Sequence, residues 1–188
     1  MRRVLLLILL CSPALWADDT AEAIFAGGCF WCMEPPYDEV EGVKETISGY
    51  IGGTVANPSY EQVVAGGTGH TEAVKIVYDP TKVDYQTLLA IFWRNIDPLD
   101  AGGQFCDRGR SYRAGIFYLN DAQEALARAS KAEVEARFDE PVVTEITKAT
   151  AFYKAEGYHQ NYYQKNPVRY KYYRYRCGRD ARLDALWK

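Results

Sequence analysis

The chain has 188 residues, 48% of them apolar, with 25 acidic against 22 basic side chains and a formal charge of −3. That supports one globular domain with its own core and gives no whole-chain attraction toward nucleic acid. Five cysteines put thiol chemistry within reach and make their positions the first question.

The first residues differ in kind. Met1-Arg2-Arg3 is basic, Val4 to Leu10 is aliphatic throughout, and Leu15-Trp16-Ala17 precedes Asp18-Asp19. This is the pattern of a secretory signal peptide, residues 1–17. The apolar run falls well short of the roughly 20 residues a membrane span needs. Leu15 is large for a position three before the cut, and Cys11 follows Leu10 rather than a small residue, so Cys11 is read as part of the removed segment. Cleavage takes away two arginines, turning −3 into −5. An exported protein, periplasmic or secreted, is expected, with no stable membrane insertion after cleavage. Residues 18–188 would form a single catalytic domain, and a monomer is expected.

Glu22 to Ala26 reads as a first strand, ending in Gly27-Gly28. Cys29-Phe30-Trp31-Cys32-Met33 follows at once. A cysteine at the start of a helix faces free N–H groups, which favour thiolate over thiol, so Cys29 is a candidate nucleophile. Phe30, Met33, Tyr37 and Val40 have helical spacing, but Pro35-Pro36 predicts a short turn and a fresh start. Val43 to Ser48 is a second strand, broken by the glycines of Gly49-Tyr50-Ile51-Gly52-Gly53. Ser59 caps a short helix through Val64 that ends at Gly66-Gly67. In the strand Thr71 to Tyr78, Glu72 shares a face with Val74, Ile76 and Tyr78, while Lys75 marks the wet side. Glu72 is either a desolvated carboxyl that keeps its proton or a strand-end group that reaches water.

Asp84 caps a helix through Ile96, and the stretch from Asp97 to Ser111 is a long loop of the kind that carries function. Arg113 to Leu119 is a strand, Asn120-Asp121 opens a polar helix to about Phe138, and Pro141 to Ile146 is a last strand. The order over 22–119 is strand, helix, strand, strand, helix, strand, a ferredoxin-like βαββαβ core. The expected class is α+β, a two-layer sandwich with a mixed sheet, helices on one face and a C-terminal extension. Residues 168–188 hold seven Lys/Arg against two Asp among many tyrosines, and read as a solvated tail packed by its aromatics.

The four cysteines left after cleavage admit several chemistries. An even count in an oxidising compartment suggests structural disulfides, yet a core of this size needs no staples. A c-type haem site needs His after C-x-x-C, where Met33 stands. Zinc wants a second close ligand pair, and His70, His159, Cys106 and Cys177 are isolated in sequence. A Cys29/Cys32 dithiol, as in a general thiol–disulfide oxidoreductase, is chemically sensible, and a non-catalytic binding module using the aromatics is a third reading.

Gly27-Gly28-Cys29-Phe30-Trp31 resembles the active-site signature of the A-class peptide methionine sulfoxide reductases. So do Gly49 to Gly53, Pro58-Ser59-Tyr60-Glu61-Gln62-Val63, Gly67 to Val74, the Asp107-to-Arg113 loop, and His159-Gln160 through Lys165-Asn166-Pro167, in that family's order. The resemblance implies reduction of methionine S-sulfoxide, free or in oxidised proteins. Cys29 would attack the sulfoxide sulfur and be left as sulfenic acid. Phe30 and Trp31 would hold the substrate methyl group, Glu72 would protonate the oxygen with help from Tyr60 and Tyr112, and Asp107 would support the site. Ser111 stands where the family often has Gln, which bears on how Tyr112 is held. It also implies no metal or organic cofactor, only a thioredoxin-like dithiol reductant. Cys177, flanked by Arg176 and Arg179, is expected to resolve the sulfenic acid, with Cys32 as rival and Cys106 a reduced neighbour of the site.

Overall fold

The computed structural model describes residues 20–188, so the signal peptide reading and Cys11 lie outside the described residues. Among those residues no helix is long and apolar enough to cross a membrane.

Alternating apolar residues build a six-stranded mixed sheet. Strand β1 (Ala21–Gly27) lies near its middle, antiparallel to β3 (Thr71–Tyr78) on one side and to β6 (Ala114–Tyr118) on the other. Strand β2 (Val43–Ile51) flanks β3, so the spatial order β6-β1-β3-β2 realises the expected βαββαβ core. Strand β7 (Glu145–Lys148) adds to β6 in parallel, and β8 (Tyr153–Lys154) adds to β2. The ladder departs from the sequence-based limits at its C-terminal edge. The last long strand begins at Glu145 rather than Pro141, and β8 follows it.

Gly49 does not end β2. It stays in register opposite Ala73, because a Cβ there would meet the Phe152 ring at 2.3 Å and the Tyr153 carbonyl at 2.5 Å. The glycine is needed for close packing, not for a turn.

Helix α3 (Tyr85–Arg94) starts where the Asp84 carboxylate accepts from the Thr87 N–H, and α4 (Asp121–Glu135) where Asn120 accepts from Gln123. Leu88, Leu89, Phe92 and Trp93 of α3 and Ala127 and Val134 of α4 pack on the face bearing Phe25, Val74, Ile76 and Ile116. Phe92 stacks on Phe25 at 5.1 Å. The opposite face carries a smaller cluster, Ile24, Ala26, Ile51, Ala73 and Phe117, covered by Ala149 and Phe152.

The C-terminal stretch is not a solvated tail. It folds as α5 (Tyr162–Lys165), α6 (Pro167–Arg176) and α7 (Arg179–Trp187), with α1 (Pro35–Asp38) and α2 (Tyr60–Ala65) earlier in the chain. Pro167 at the first turn of α6 needs no intrahelical donor, so it starts that helix rather than preventing it. Three of its cations are engaged by the fold: Arg174 pairs with Asp180, Arg182 with Asp97, and Arg179 is buried.

Candidate active site

At the end of β1 the chain turns sharply. Gly28 has φ +80°, and a Cβ there would sit 2.5 Å from the Gln104 side chain. A single 3-10 turn, Phe30–Cys32, follows Cys29. This corrects the expectation that free helix N–H groups stabilise a Cys29 thiolate. The turn is too short, and the Phe30 N–H is given to Glu72 Oε2 at 3.1 Å. Burial pushes the Cys29 thiol well above its ordinary range, helped by a hydrogen bond with Cys32. Cys32 goes the other way, to about 6, held down first by its hydrogen bond with Cys29 and then by the charges of Arg179 and Arg174.

Of the two placements open for Glu72, the buried one holds: it is 1% exposed. It projects from β3 onto the core face, opposite Tyr50 in the ladder. Burial raises its pKa well above the usual carboxyl range, against the lowering effect of the Phe30 N–H. A carboxyl in that condition carries a proton near neutrality and can donate it. Asp107 is shifted the same way, burial first, with the Tyr173 hydroxyl opposing.

Cys29, Phe30, Trp31, Tyr60, Glu72, Asp107, Tyr112 and Tyr173 line one cavity of about 90 Å³. Seven of these were legible in the sequence; Tyr173 was not. Tyr60 and Tyr112 hydrogen-bond through their hydroxyls, and burial keeps both phenols protonated. Glu156 accepts from the Tyr60 N–H at 2.9 Å and from the Tyr50 hydroxyl at 2.8 Å, which fixes the start of α2 against the sheet. Ser59 and Gln62 complete a reciprocal cap there. Trp31 is held by its own indole N–H, which donates to His159 Nδ1 at 3.0 Å, and by stacking on Tyr162 at 3.7 Å. His159, neutral because burial lowers its pKa, also lies against Phe30 and Tyr60. A positioning role for this histidine is invisible at sequence level, where it stands far from Trp31.

Cys106 corrects another expectation. It is not a reduced neighbour but is disulfide-bonded to Cys177, 71 residues away, while Cys29 and Cys32 are free thiols. The Asp97-to-Ser111 loop folds into a small hairpin, β4 (Gly103–Gln104) against β5 (Asp107–Arg108). Its two-residue tip, Phe105-Cys106, presents Cys106 to solvent, and Phe105 takes φ +57°. Asp107 sits between the two redox centres. Its Oδ2 accepts from the Tyr173 hydroxyl at 2.5 Å, and both disulfide sulfurs lie 3.9 Å from its carboxylate oxygens. Tyr173 precedes Cys177 by four residues on α6, so one helix face carries both. Reading the tail as a helix would have revealed that pairing.

The family model for peptide methionine sulfoxide reductase matches residues 21–188. The chain belongs to the peptide methionine sulfoxide reductase family. It is 53% identical over 168 residues to peptide methionine sulfoxide reductase MsrA of Bacillus velezensis, covering 88% of this chain and 95% of that protein. The MsrA of Bacillus subtilis is 53% identical over 167 residues, with coverage of 88% and 94%. Among solved structures, reduced Mxr1 from Saccharomyces cerevisiae superposes with a TM-score of 0.75 at 30% identity, covering 79% of this chain and 87% of that one. The methionine sulfoxide reductase A of Corynebacterium diphtheriae gives 0.71 at 31% identity, covering 79% and 76%. The α+β fold expected from the sequence is the fold of this family.

Proposed function

We propose that the Cys29 cavity reduces methionine S-sulfoxide, free or in oxidised proteins, to methionine. The observation that carries this reading is the convergence of a thiol, a proton-bearing Glu72, two neutral phenols and an aromatic wall on one small cavity. Phe30 and Trp31 take the S-methyl group, for which a more polar substituent is a poor substitute. The Tyr60 and Tyr112 hydroxyls and Glu72 donate to the sulfoxide oxygen. Protonation of that oxygen by Glu72 makes the sulfur electrophilic, and Cys29 Sγ attacks it, its own proton passing to the Glu72 carboxylate. The hydroxyl then moves from the sulfur to Sγ as the sulfur–oxygen and Sγ–sulfur bonds break, and methionine departs with Cys29 as sulfenic acid.

The Cys177 thiol then attacks Cys29 Sγ, forming a Cys29–Cys177 disulfide and releasing water. The Cys106 thiolate attacks Cys177 Sγ in turn, forming the Cys106–Cys177 bond and freeing Cys29. An external dithiol, thioredoxin-like by this reading, takes over the disulfide and leaves two thiols. The solvent-facing placement of Cys106 supports that last step, and Mxr1 of Saccharomyces cerevisiae, a protein of this fold, forms a complex with Trx2. Export to the periplasm or beyond is part of the proposal, supported by the basic and aliphatic pattern of residues 1–17.

The test is an epimer-resolved assay of methionine sulfoxide with dithiothreitol. Consumption of the S epimer with the R epimer untouched is expected. Insulin reduction without sulfoxide turnover would instead mark a general thiol–disulfide oxidoreductase. Peptide mapping after turnover without reductant is expected to yield Cys106–Cys177; a Cys29–Cys32 product would replace the relay.

A further inference from the structure

We propose that Arg179 is the positioning residue of this relay, holding α7 as a fixed post so that α6 carries Cys177 between Cys29 and Cys106 about a pivot at Gly178. The proposal rests on the relay described above.

Arg179 is 1% exposed and heads the fully buried side chains by size. A guanidinium taken out of water is normally compensated by a carboxylate. None of its hydrogen bonds goes to one. Its Nη2 donates to the Gly27 carbonyl at 3.1 Å and the Asn95 carbonyl at 2.5 Å and contacts Met33 Sδ, while Nε is buried without a partner. The guanidinium lies over the Phe105 ring at 4.4 Å. These contacts have a common meaning. Gly27 is two residues before Cys29, Phe105 is one before Cys106, and Arg179 itself is two after Cys177. One side chain therefore sets the spacing among the three segments that bear the three thiols.

The helices on either side of Gly178 are held very differently. On α7, Arg179 is joined by Leu183 in the core, by Arg182 paired with Asp97 at 2.7 Å, and by Trp187, whose indole donates to the Ile96 carbonyl. On α6 only Tyr170 is buried; Tyr173 and Arg174 hold it by polar contacts to Asp107 and Asp180, and Val168, Tyr172 and Tyr175 are exposed. Between them Gly178 takes φ +67° and ψ 17°, and a Cβ there would touch nothing within 4 Å. A glycine in that backbone state accommodates rotation that other residues resist. The travel needed is small. Tyr173 shares the cavity with Cys29, and Cys177 lies one helical turn beyond it, about 6 Å along the axis.

Rapid-quench turnover without reductant tests the assignment on Arg179→Lys and Arg179→Met, following methionine release, the lifetime of the Cys29 sulfenic acid by dimedone trapping, and the final disulfide by peptide mapping. Methionine release is expected to slow less than about threefold while the sulfenic acid lives at least about tenfold longer, with Lys between Met and wild type. Gly178→Ala, at an open position, is expected to lengthen the same lifetime and serves if Arg179 variants do not fold. Equal slowing of both steps, or wild-type sulfenic acid lifetimes in the folded variants, would overturn the anchoring role. If wild type itself forms no Cys106–Cys177 bond during turnover, the relay fails rather than the anchor.

Discussion

The two cysteine pairs of this chain are opposites. Cys29 and Cys32 come from one turn, are buried, hydrogen-bond to each other and are not joined by a disulfide. Cys106 and Cys177 come from a hairpin tip and a helix end, the first exposed and the second half-buried, and are joined. Nearness in sequence made the first pair the obvious redox couple. Burial argues otherwise. Thiol exchange needs access for the attacking dithiol, and Tyr162 and Tyr170 close over Cys32. In the proposed reading Cys29 alone of the inner pair acts on the sulfoxide, and the outer pair meets the reductant.

The strongest consequence of that division falls on Cys29 and Glu72. Cys29→Ser should abolish S-sulfoxide reduction under every reductant; retained turnover would move the chemistry elsewhere. Glu72→Gln should slow sulfenic acid formation by about a hundredfold or more, because Gln keeps the bond to the Phe30 N–H but has no acid proton. Single-turnover rates at wild-type level would leave Glu72 a structural group.

Next comes Glu34, which lies in the same dry layer as the inner pair. It accepts from Ser48 Oγ at 2.9 Å and from the Asn161 N–H at 3.2 Å, and burial raises its pKa to about 7 from 4.5. A carboxyl whose pKa is higher folded than unfolded favours the folded state at low pH. Its contribution therefore falls as pH rises from the unfolded value through about 7, then levels off. Denaturant unfolding of Glu34→Gln against wild type should show the variant gaining up to about 3 kcal/mol between pH 4 and pH 8. A constant difference across that range would contradict the shift.

At the outer pair, Cys106→Ser should leave the first methionine released at the normal rate and stop at a Cys29–Cys177 disulfide. Turnover with a thioredoxin-like protein should then fall by about tenfold, and less with dithiothreitol. The smallest effect belongs to Cys32→Ala: steady-state rates within about threefold of wild type and an unchanged final disulfide. A large loss there would return Cys32 to the mechanism.

How much was legible before the fold was seen follows the range of the interactions involved. Strand β3, with its alternation of Glu72, Val74, Ile76 and Tyr78, was read correctly because period-two burial is written locally. The caps at Ser59, Asp84 and Asn120 were too, each depending on a side chain and a backbone donor three residues apart. Gly49 misled because its reason for being glycine is the Phe152 ring, more than a hundred residues on. Tyr173 and His159 were missed as site residues for the same reason.

Local patterns in the chain placed Cys29 directly after its glycine turn, Phe30 and Trp31 beside it, Glu72 on the apolar face of β3 and the βαββαβ order, since each is a relation between neighbours. The burial of the site's titratable groups and the pairing of the cysteines came from the assembled fold. Protonation depends on how completely the fold removes water from Cys29 and Glu72, and no residue declares that alone. Partnership depends on which chain ends meet: a two-residue hairpin tip brings Cys106 to the end of α6, and a buried arginine two residues past Cys177 holds that meeting place against the turn of Cys29.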